Sequence, residues 1–234
     1  EVVFSLMEAP PGRPHLQVAA TAVFELLGVR FTGSGAGAIW LTTDKLATRA
    51  LLAAEGVPVA PGGRLIAAAG GTLERVPPPW ILKPAREDAS LGLDGEPVAF
   101  TREMALARAA LLRRRFPGQP IILEHLLPGR EFNVSIIEVE GHPQVLPIAE
   151  MDFGGLAPDA PRIVSYEAKW NEGHDANTGT TRTFPNEEEE RDLLARVRAV
   201  ALRAWEVTGI AGYARVDIRL DESEVPCVLE VNAN

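Results

Sequence analysis

Two segments near the C-terminus alternate polar and apolar residues so regularly that a β-hairpin is the structure they specify. In Tyr213-Ala-Arg215-Val-Asp217-Ile-Arg219-Leu220, Val216, Ile218 and Leu220 share one face and Arg215, Asp217 and Arg219 the other, because side chains alternate along a strand. Cys227-Val-Leu-Glu230-Val231-Asn232 sends Cys227, Leu229 and Val231 to the core and Glu230 and Asn232 the opposite way. The acidic Asp221-Glu-Ser-Glu224 between them reads as the turn. A register centred near Ser223 and Glu224 sets Asp217 opposite Glu230 and Arg215 opposite Asn232. Directly opposed carboxylates repel unless something sits between them. A hard divalent cation with oxygen ligands removes that conflict, and Mg²⁺ held by carboxylates and nucleotide phosphates is the usual case. An ordinary half-solvated hairpin of alternating charge fits these residues equally well.

The rest of the chain decides between those readings. Its 234 residues suffice for one large domain or two small ones sharing an interface. With 46% hydrophobic and 24% charged residues the composition is that of a soluble globular protein. A net charge of −9 argues against a general nucleic-acid or membrane-surface binder, yet allows a local basic pocket. One cysteine forms no internal disulfide and gives no sign of an oxidising compartment, and Cys227 reads as a buried strand residue. No apolar run is long enough to span a bilayer. The chain opens without a methionine on strand-like Val2-Val-Phe-Ser-Leu6 and stops at Asn234, directly after the ligand-like strand, so further residues are expected at both ends.

Residues 1–40 read as strand, helix and short strand, with Leu16, Ala19, Ala20, Val23 and Leu27 as the helical stripe and Gly28 ending it. Gly33-Ser-Gly-Ala-Gly37 lacks the GxGxxG spacing of a dinucleotide loop and is better taken as a tight turn into a helix. An alanine-rich helix runs from Asp44 to about Glu55, and the Pro/Gly-rich stretch 58–79 is the best domain boundary. Trp80-Ile-Leu-Lys83 is a strand, 86–95 a polar loop, and Thr101 caps a helix to about Phe116 with Met104, Ala107 and Leu111 on its apolar stripe. Strands are expected near 120–126, 131–139 and 143–151, and an irregular stretch over 152–185, whose length points to function or mobility. Asn186 then caps a long helix, with Glu187–Glu190 complementing its dipole, Glu187 reaching Arg191, and Leu193, Val197, Val200 and Ala204 buried.

The four histidines (His15, His125, His142 and His174) lack metal-ligand spacing, and no Ser-His-Asp ordering with an elbow motif is present. Three lysines stand out in a chain whose surface charge is carried mostly by arginine. Lys83 ends an apolar strand before Pro84, Lys45 sits in the first turn of a helix against the dipole, and Lys169 lies within the irregular stretch. Each taken singly is an ordinary surface residue. Together with a carboxylate metal site they suggest a polyphosphate clamp.

These segments resemble a family. Lys83-Pro-Ala-Arg-Glu-Asp-Ala-Ser-Leu-Gly92 is similar to the phosphate loop of the D-alanine–D-alanine ligases of the ATP-grasp superfamily. Glu124-His-Leu-Leu-Pro-Gly-Arg-Glu131 resembles their nucleotide hinge, Tyr166-Glu-Ala-Lys169 their lid, and Arg215-Val-Asp217 with Glu230-Val-Asn232 their metal site. Thr32-Gly-Ser-Gly35 and Asp44-Lys45 match as well, and all the matches run in the family's order.

The resemblance implies an α/β (α+β) ATP-grasp fold, two α+β subdomains clamping ATP. Residues 1–43 would be the remnant of an α/β N-terminal domain, 44–122 the small subdomain and 123–234 the large one, truncated at its C-terminus. It implies that Lys45, Lys83 and Ser90 contact ATP phosphates, that Glu124 and the backbones of His125 and Leu127 hold adenine, and that Glu131 holds the ribose. Lys169 would reach the γ-phosphate, Asp217, Glu230 and Asn232 would bind Mg²⁺ (or Mn²⁺), and Arg215 would steady developing negative charge. The implied reaction phosphorylates a carboxylate with ATP and lets an amine attack the acyl phosphate to form an amide. Its partners would be small amino-acid or carboxylate substrates, with no nucleic acid and no membrane. A homodimer stays open, and the location implied is the cytoplasm.

Departures gather at the substrate end. Where the family reads Glu-Gly-Ser-Ser and Lys-Tyr, this chain has Glu87-Asp88-Ala89-Ser90 and Lys169-Trp170, so two hydroxyls that meet across the family's lid are lost together. Leu6-Met-Glu-Ala-Pro-Pro-Gly12 replaces a His-Gly…Gly-Glu-Asp-Gly segment. The alternatives are therefore a ligase for another amino acid or carboxylate, and a non-catalytic ATP-binding or regulatory module.

Overall fold

The alternating hairpin forms one end of an antiparallel sheet, its second strand outermost among the described residues. The computed structural model describes residues 2–233 apart from 8, 11, 12, 14, 68–70, 88–91, 94, 95, 158, 159 and 165–178. Their elements run α1 (His15–Leu26), α2 (Ala36–Thr43), α3 (Lys45–Ala54), β1 (Gly62–Arg64), α4 (Thr72–Arg75), β2 (Trp80–Pro84), β3 (Val98–Ala99) and α5 (Arg102–Arg115). Then follow β4 (Ile121–His125), β5 (Glu131–Val139), β6 (His142–Val145), β7 (Ala149–Asp152), β8 (Thr181–Thr183), α6 (Arg191–Thr208), β9 (Tyr213–Leu220) and β10 (Pro226–Asn232). The expected mixture of helices with antiparallel sheets is what the chain forms. No helix among the described residues is long and apolar enough to cross a membrane.

The chain divides into two compact units, one made of residues 1–59, 129–150 and 184–234 and the other of 60–128 and 151–183. In the first, β9 lies between β10 and β5, with β6 also on β5. Phe132, Val134, Val216 and Ile218 are fully buried there with Val197 and Ala201 of α6. Each of the phenylalanine, valine and isoleucine side chains contributes roughly 1.5–3 kcal/mol by leaving water. In the second unit a sheet of order β1-β4-β2-β3 packs Leu82 and Leu123 against Ala105, Ala109 and Leu112 of α5.

Several local expectations hold. Asp44 caps α3, its Oδ1 accepting from the Leu46 and Ala47 N–H groups at 3.0 and 3.1 Å. Thr101 caps α5 by accepting from Met104 N–H at 3.3 Å, Gly28 follows α1 at φ +64°, and the glycine-rich turn leads into α2.

Other expectations are corrected. Residues 2–6 form no regular strand: Val3 makes a single parallel bridge with Phe31, because no further described strand continues the ladder. α1 buries Gln17 and Thr21 while Val23 and Leu27 are exposed, and α5 buries Ala105, Arg108, Ala109 and Leu112 while Met104 and Leu111 are exposed. Both helices carry apolar residues on nearly every side, so periodicity does not select one face. The strand expected over 143–151 is two short ones with Pro147, which has no N–H to donate, in the gap. The long helix begins at Arg191 with Glu190 at its cap position. Asn186 instead caps a preceding turn through Glu188 N–H at 2.9 Å, and Glu187 meets Arg198 rather than Arg191.

Candidate active site

The predicted hairpin register is present where it matters: Asp217 faces Glu230 and Arg215 faces Asn232. Toward the turn Leu220 faces Pro226, and the one-residue difference is absorbed by a bulge between Val228 and Glu230. The bulge buries Val228 and leaves Leu229, expected in the core, only half-buried. The tip closes as a turn in which Asp221 Oδ1 accepts from Ser223 and Val225 N–H at 2.8 and 2.9 Å. Cys227 is buried as expected, and burial pushes its thiol up to about 11.

β5 supplies a third column. Glu131 pairs with Arg219, Asn133 with Asp217 and Ser135 with Arg215, so one sheet face carries rows of polar groups while Phe132 and Val134 go to the core. The Arg219 Nη1 lies 3.2 Å from Glu131 Oε2, and its Nε donates to Gly129 O at 3.1 Å. Gly129 has no alternative there, since a Cβ would fall 2.5 Å from Leu220 O.

The conflict between Asp217 and Glu230 is met by a cation on each. Arg215 forks onto Asp217 along the same strand, Nε to Oδ1 at 2.7 Å and Nη2 to Oδ2 at 2.9 Å. The Asp217 charge raises the Arg215 pKa against the opposing effect of burial. Asn133 Nδ2 donates to Asp217 Oδ1 at 2.9 Å and Asn232 Nδ2 to Oδ2 at 3.3 Å. Lys45 Nζ sits 2.7 Å from Glu230 Oε1, and its side chain is only 7% exposed. The unfavourable place of Lys45 at the start of α3 is thereby offset by a carboxylate.

Two carboxylates and an amide on neighbouring positions of two strands are hard oxygen donors. They fit Mg²⁺, which takes one or two protein carboxylates and fills the remaining positions with water and phosphate oxygens. No group of three or more His, Cys, Asp or Glu side chains among the described residues is placed to hold a metal. Asn232 would have to be the third protein ligand.

In the second unit Lys83 Nζ lies 2.9 Å from Glu124 Oε2, with exposures of 12% and 7%. Both belong to the central strands β2 and β4. His125 N–H donates to Pro61 O and Leu126 N–H to Pro79 O, each at 2.8 Å. His125 Nδ1 is 3.0 Å from Pro77 O, and Leu127 is buried. Ser90, Lys169 and the substrate-end residues Ala89 and Trp170 lie outside the described residues.

Asn133 was not singled out by the sequence reading. The signal was available: Glu131, Asn133 and Ser135 alternate with Phe132, Val134 and Ile136 in the same way as the hairpin strands do.

The chain is similar to known proteins over most of its length. The family profile described as "D-ala D-ala ligase C-terminus" matches residues 68–234. The D-alanine–D-alanine ligase of Gluconobacter oxydans is 30% identical over 233 residues, 99% of this chain and 70% of that protein. The D-alanine–D-alanine ligase of a Synechococcus species is 32% identical over 217 residues, 90% of this chain and 60% of that protein. The crystal structure of the Bacillus anthracis D-alanine–D-alanine ligase complexed with ATP superposes with a TM-score of 0.67 at 20% identity, covering 92% of this chain and 62% of that one. The fold is thus of the ATP-grasp class. Within it, the chain belongs to the D-alanine–D-alanine ligase family, spanning 70% and 60% of the length of the two curated relatives.

Proposed function

We propose that this chain is the ATP-binding and metal-binding part of an ATP- and Mg²⁺-dependent carboxylate–amine ligase. The observation that carries the reading is the grid of Asp217, Glu230 and Asn232 beside Arg215. The names of the relatives and the ATP complex of a structural neighbour support it. A bound Mg²⁺ would supply charge neutralisation at the ATP phosphates, and Asp217, Glu230 and Asn232 are the residues to hold it.

In the proposed reaction a substrate carboxylate oxygen attacks the γ-phosphorus and the bond to ADP breaks. The amine nitrogen then attacks the acyl carbon and phosphate leaves with the electron pair of the C–O bond. Phosphoryl transfer needs positioning and charge neutralisation more than covalent help. We assign Lys45, Lys83 and Ser90 to the phosphates, Lys169 to the γ-phosphate, and Glu124, His125 and Leu127 to adenine. Glu131 is assigned to the ribose, and Arg215 to charge that develops in the acyl step. Residues 1–43, 44–122 and 123–234 are assigned to the N-terminal, small and large parts of the fold.

Loss of the two lid hydroxyls at Ala89 and Trp170 favours a substrate other than D-alanine, and dependence on ATP favours the cytoplasm. The test is phosphate release from ATP by the full-length protein across a panel of amino acids and carboxylates. Substrate-stimulated release that Asp217→Asn nearly abolishes without unfolding is expected. Undiminished release in that variant, or with excess chelator, rules out the metal-dependent reading, and D-alanine as preferred substrate rules out the divergent pocket.

A further inference from the structure

Asp217 is held by more than its charge partner. It occupies the middle of a row across three strands, with Asn133 of β5 on one side and Glu230 of β10 on the other. Its two oxygens are used differently. Oδ1 accepts from Arg215 Nε and Asn133 Nδ2, at 2.7 and 2.9 Å. Oδ2 accepts from Arg215 Nη2 at 2.9 Å and has Asn232 Nδ2 at 3.3 Å. The oxygen tied to β5 is thus distinct from the one on the side of Asn232 and Glu230, where the proposed cation would bind.

We infer that Asn133 is a positioning residue for the metal site, its amide N–H fixing the plane of the Asp217 carboxylate. An amide carbonyl facing a carboxylate would set acceptor against acceptor, so the N–H orientation is chemically required. Asn133 is anchored for this task, lying between Phe132 and Val134, both fully buried. Being neutral, it orients the carboxylate without cancelling its charge. A lysine or arginine at this position would compete with a divalent cation for that charge. Without Asn133 the carboxylate would be oriented mainly by Arg215, whose side chain is 38% exposed. Hydrogen-bond partners of metal-ligating carboxylates typically change metal affinity or activity by about 10–100-fold when removed.

This inference rests on the metal-dependent reading above, and the test separates the two. Mn²⁺ binding to the full-length protein is measured without nucleotide by electron paramagnetic resonance for wild type, Asn133→Ala, Asn133→Leu and Asp217→Asn. Far-UV circular dichroism checks that each variant is folded. Leucine keeps the branched shape at Cγ and removes the donor, so a role in packing alone predicts wild-type Mn²⁺ affinity for Asn133→Leu. Positioning predicts Mn²⁺ binding about tenfold weaker or more in both Asn133 variants. It also predicts a raised Mg²⁺ concentration for half-maximal activity, with the KM for the carboxylate unchanged. Wild-type Mn²⁺ affinity in Asn133→Leu overturns the inference and leaves the metal site standing. Mn²⁺ binding unaffected by Asp217→Asn overturns both.

Discussion

Lys45 has one observed partner and one proposed one. Its ammonium lies against Glu230 at 2.7 Å, on the carboxylate proposed to hold Mg²⁺, while its proposed task is to contact ATP phosphate. We propose that the ammonium shares Glu230 with Mg²⁺ in competition, because both would neutralise the same carboxylate. Lys45→Met should therefore lower Tm in chelator, by about 2–4 °C per kcal/mol lost for a chain of this size. Added Mg²⁺ should raise the Tm of the variant by more than that of wild type, because no ammonium has to be displaced. Equal Mg²⁺ shifts in the two proteins would show that Lys45 does not compete for Glu230. The carboxylates at this site were legible in the sequence because period two puts Asp217, Glu230 and Asn232 on one face. Arg215, on the same strand face as Asp217, was legible with them, whereas the pairing of Lys45 with Glu230 was not. Lys45 is far from Glu230 along the chain, and only the packing of α3 near β10 reveals the pair.

At the scale of elements, the sequence located the hairpin and central strands, the Thr101 cap and the start of α3 at Asp44, but not the Asn186 cap or the helix faces. Thr101 was readable because a cap is a local hydrogen bond. The buried faces of α1 and α5 depend on what they pack against, which no local pattern records. The start of α6 was misplaced for a similar reason: Glu190 is drawn to Arg130, which also holds Glu150 through two bonds of 2.7 and 2.6 Å. That network ties the residue before β5 and the second residue of β7 to the beginning of α6. The hydrogen bond from Arg130, ahead of its charge, holds the Glu190 carboxyl below the usual carboxylate range, and hydrogen bonds to Glu150 first and Glu190 second raise the Arg130 pKa. A carboxyl group whose pKa falls on folding stabilises the fold above its unfolded pKa, and the contribution fades as pH drops through the folded value. Glu190→Gln should thus lower Tm at neutral pH, and the gap to wild type should close under acid conditions below the usual carboxylate range. A gap of the same size at both pH values would mean that the pair contributes through packing rather than through charge.

At the scale of the molecule, the described residues build two hydrophobic clusters with no residue in common, one around Phe132, Val216 and Val197 and one around Leu82, Leu123 and Leu112. Neither unit is continuous in sequence: the first is assembled from three segments and the second from two. This interleaving is why the Pro/Gly-rich stretch, although readable as a boundary, could not by itself reveal which later strands return to which core. One chain runs through both units, but separate cores allow them to open separately. Leu82→Ala and Val216→Ala each remove a fully buried side chain or most of it, and Leu82→Ala should cost about 2–5 kcal/mol. Native-state hydrogen exchange should register that cost locally, with protection falling mainly in β2, β4 and α5 for Leu82→Ala and mainly in β5, β9 and α6 for Val216→Ala. Uniform loss of protection across all six elements in both variants would show that the two cores unfold as one cooperative unit.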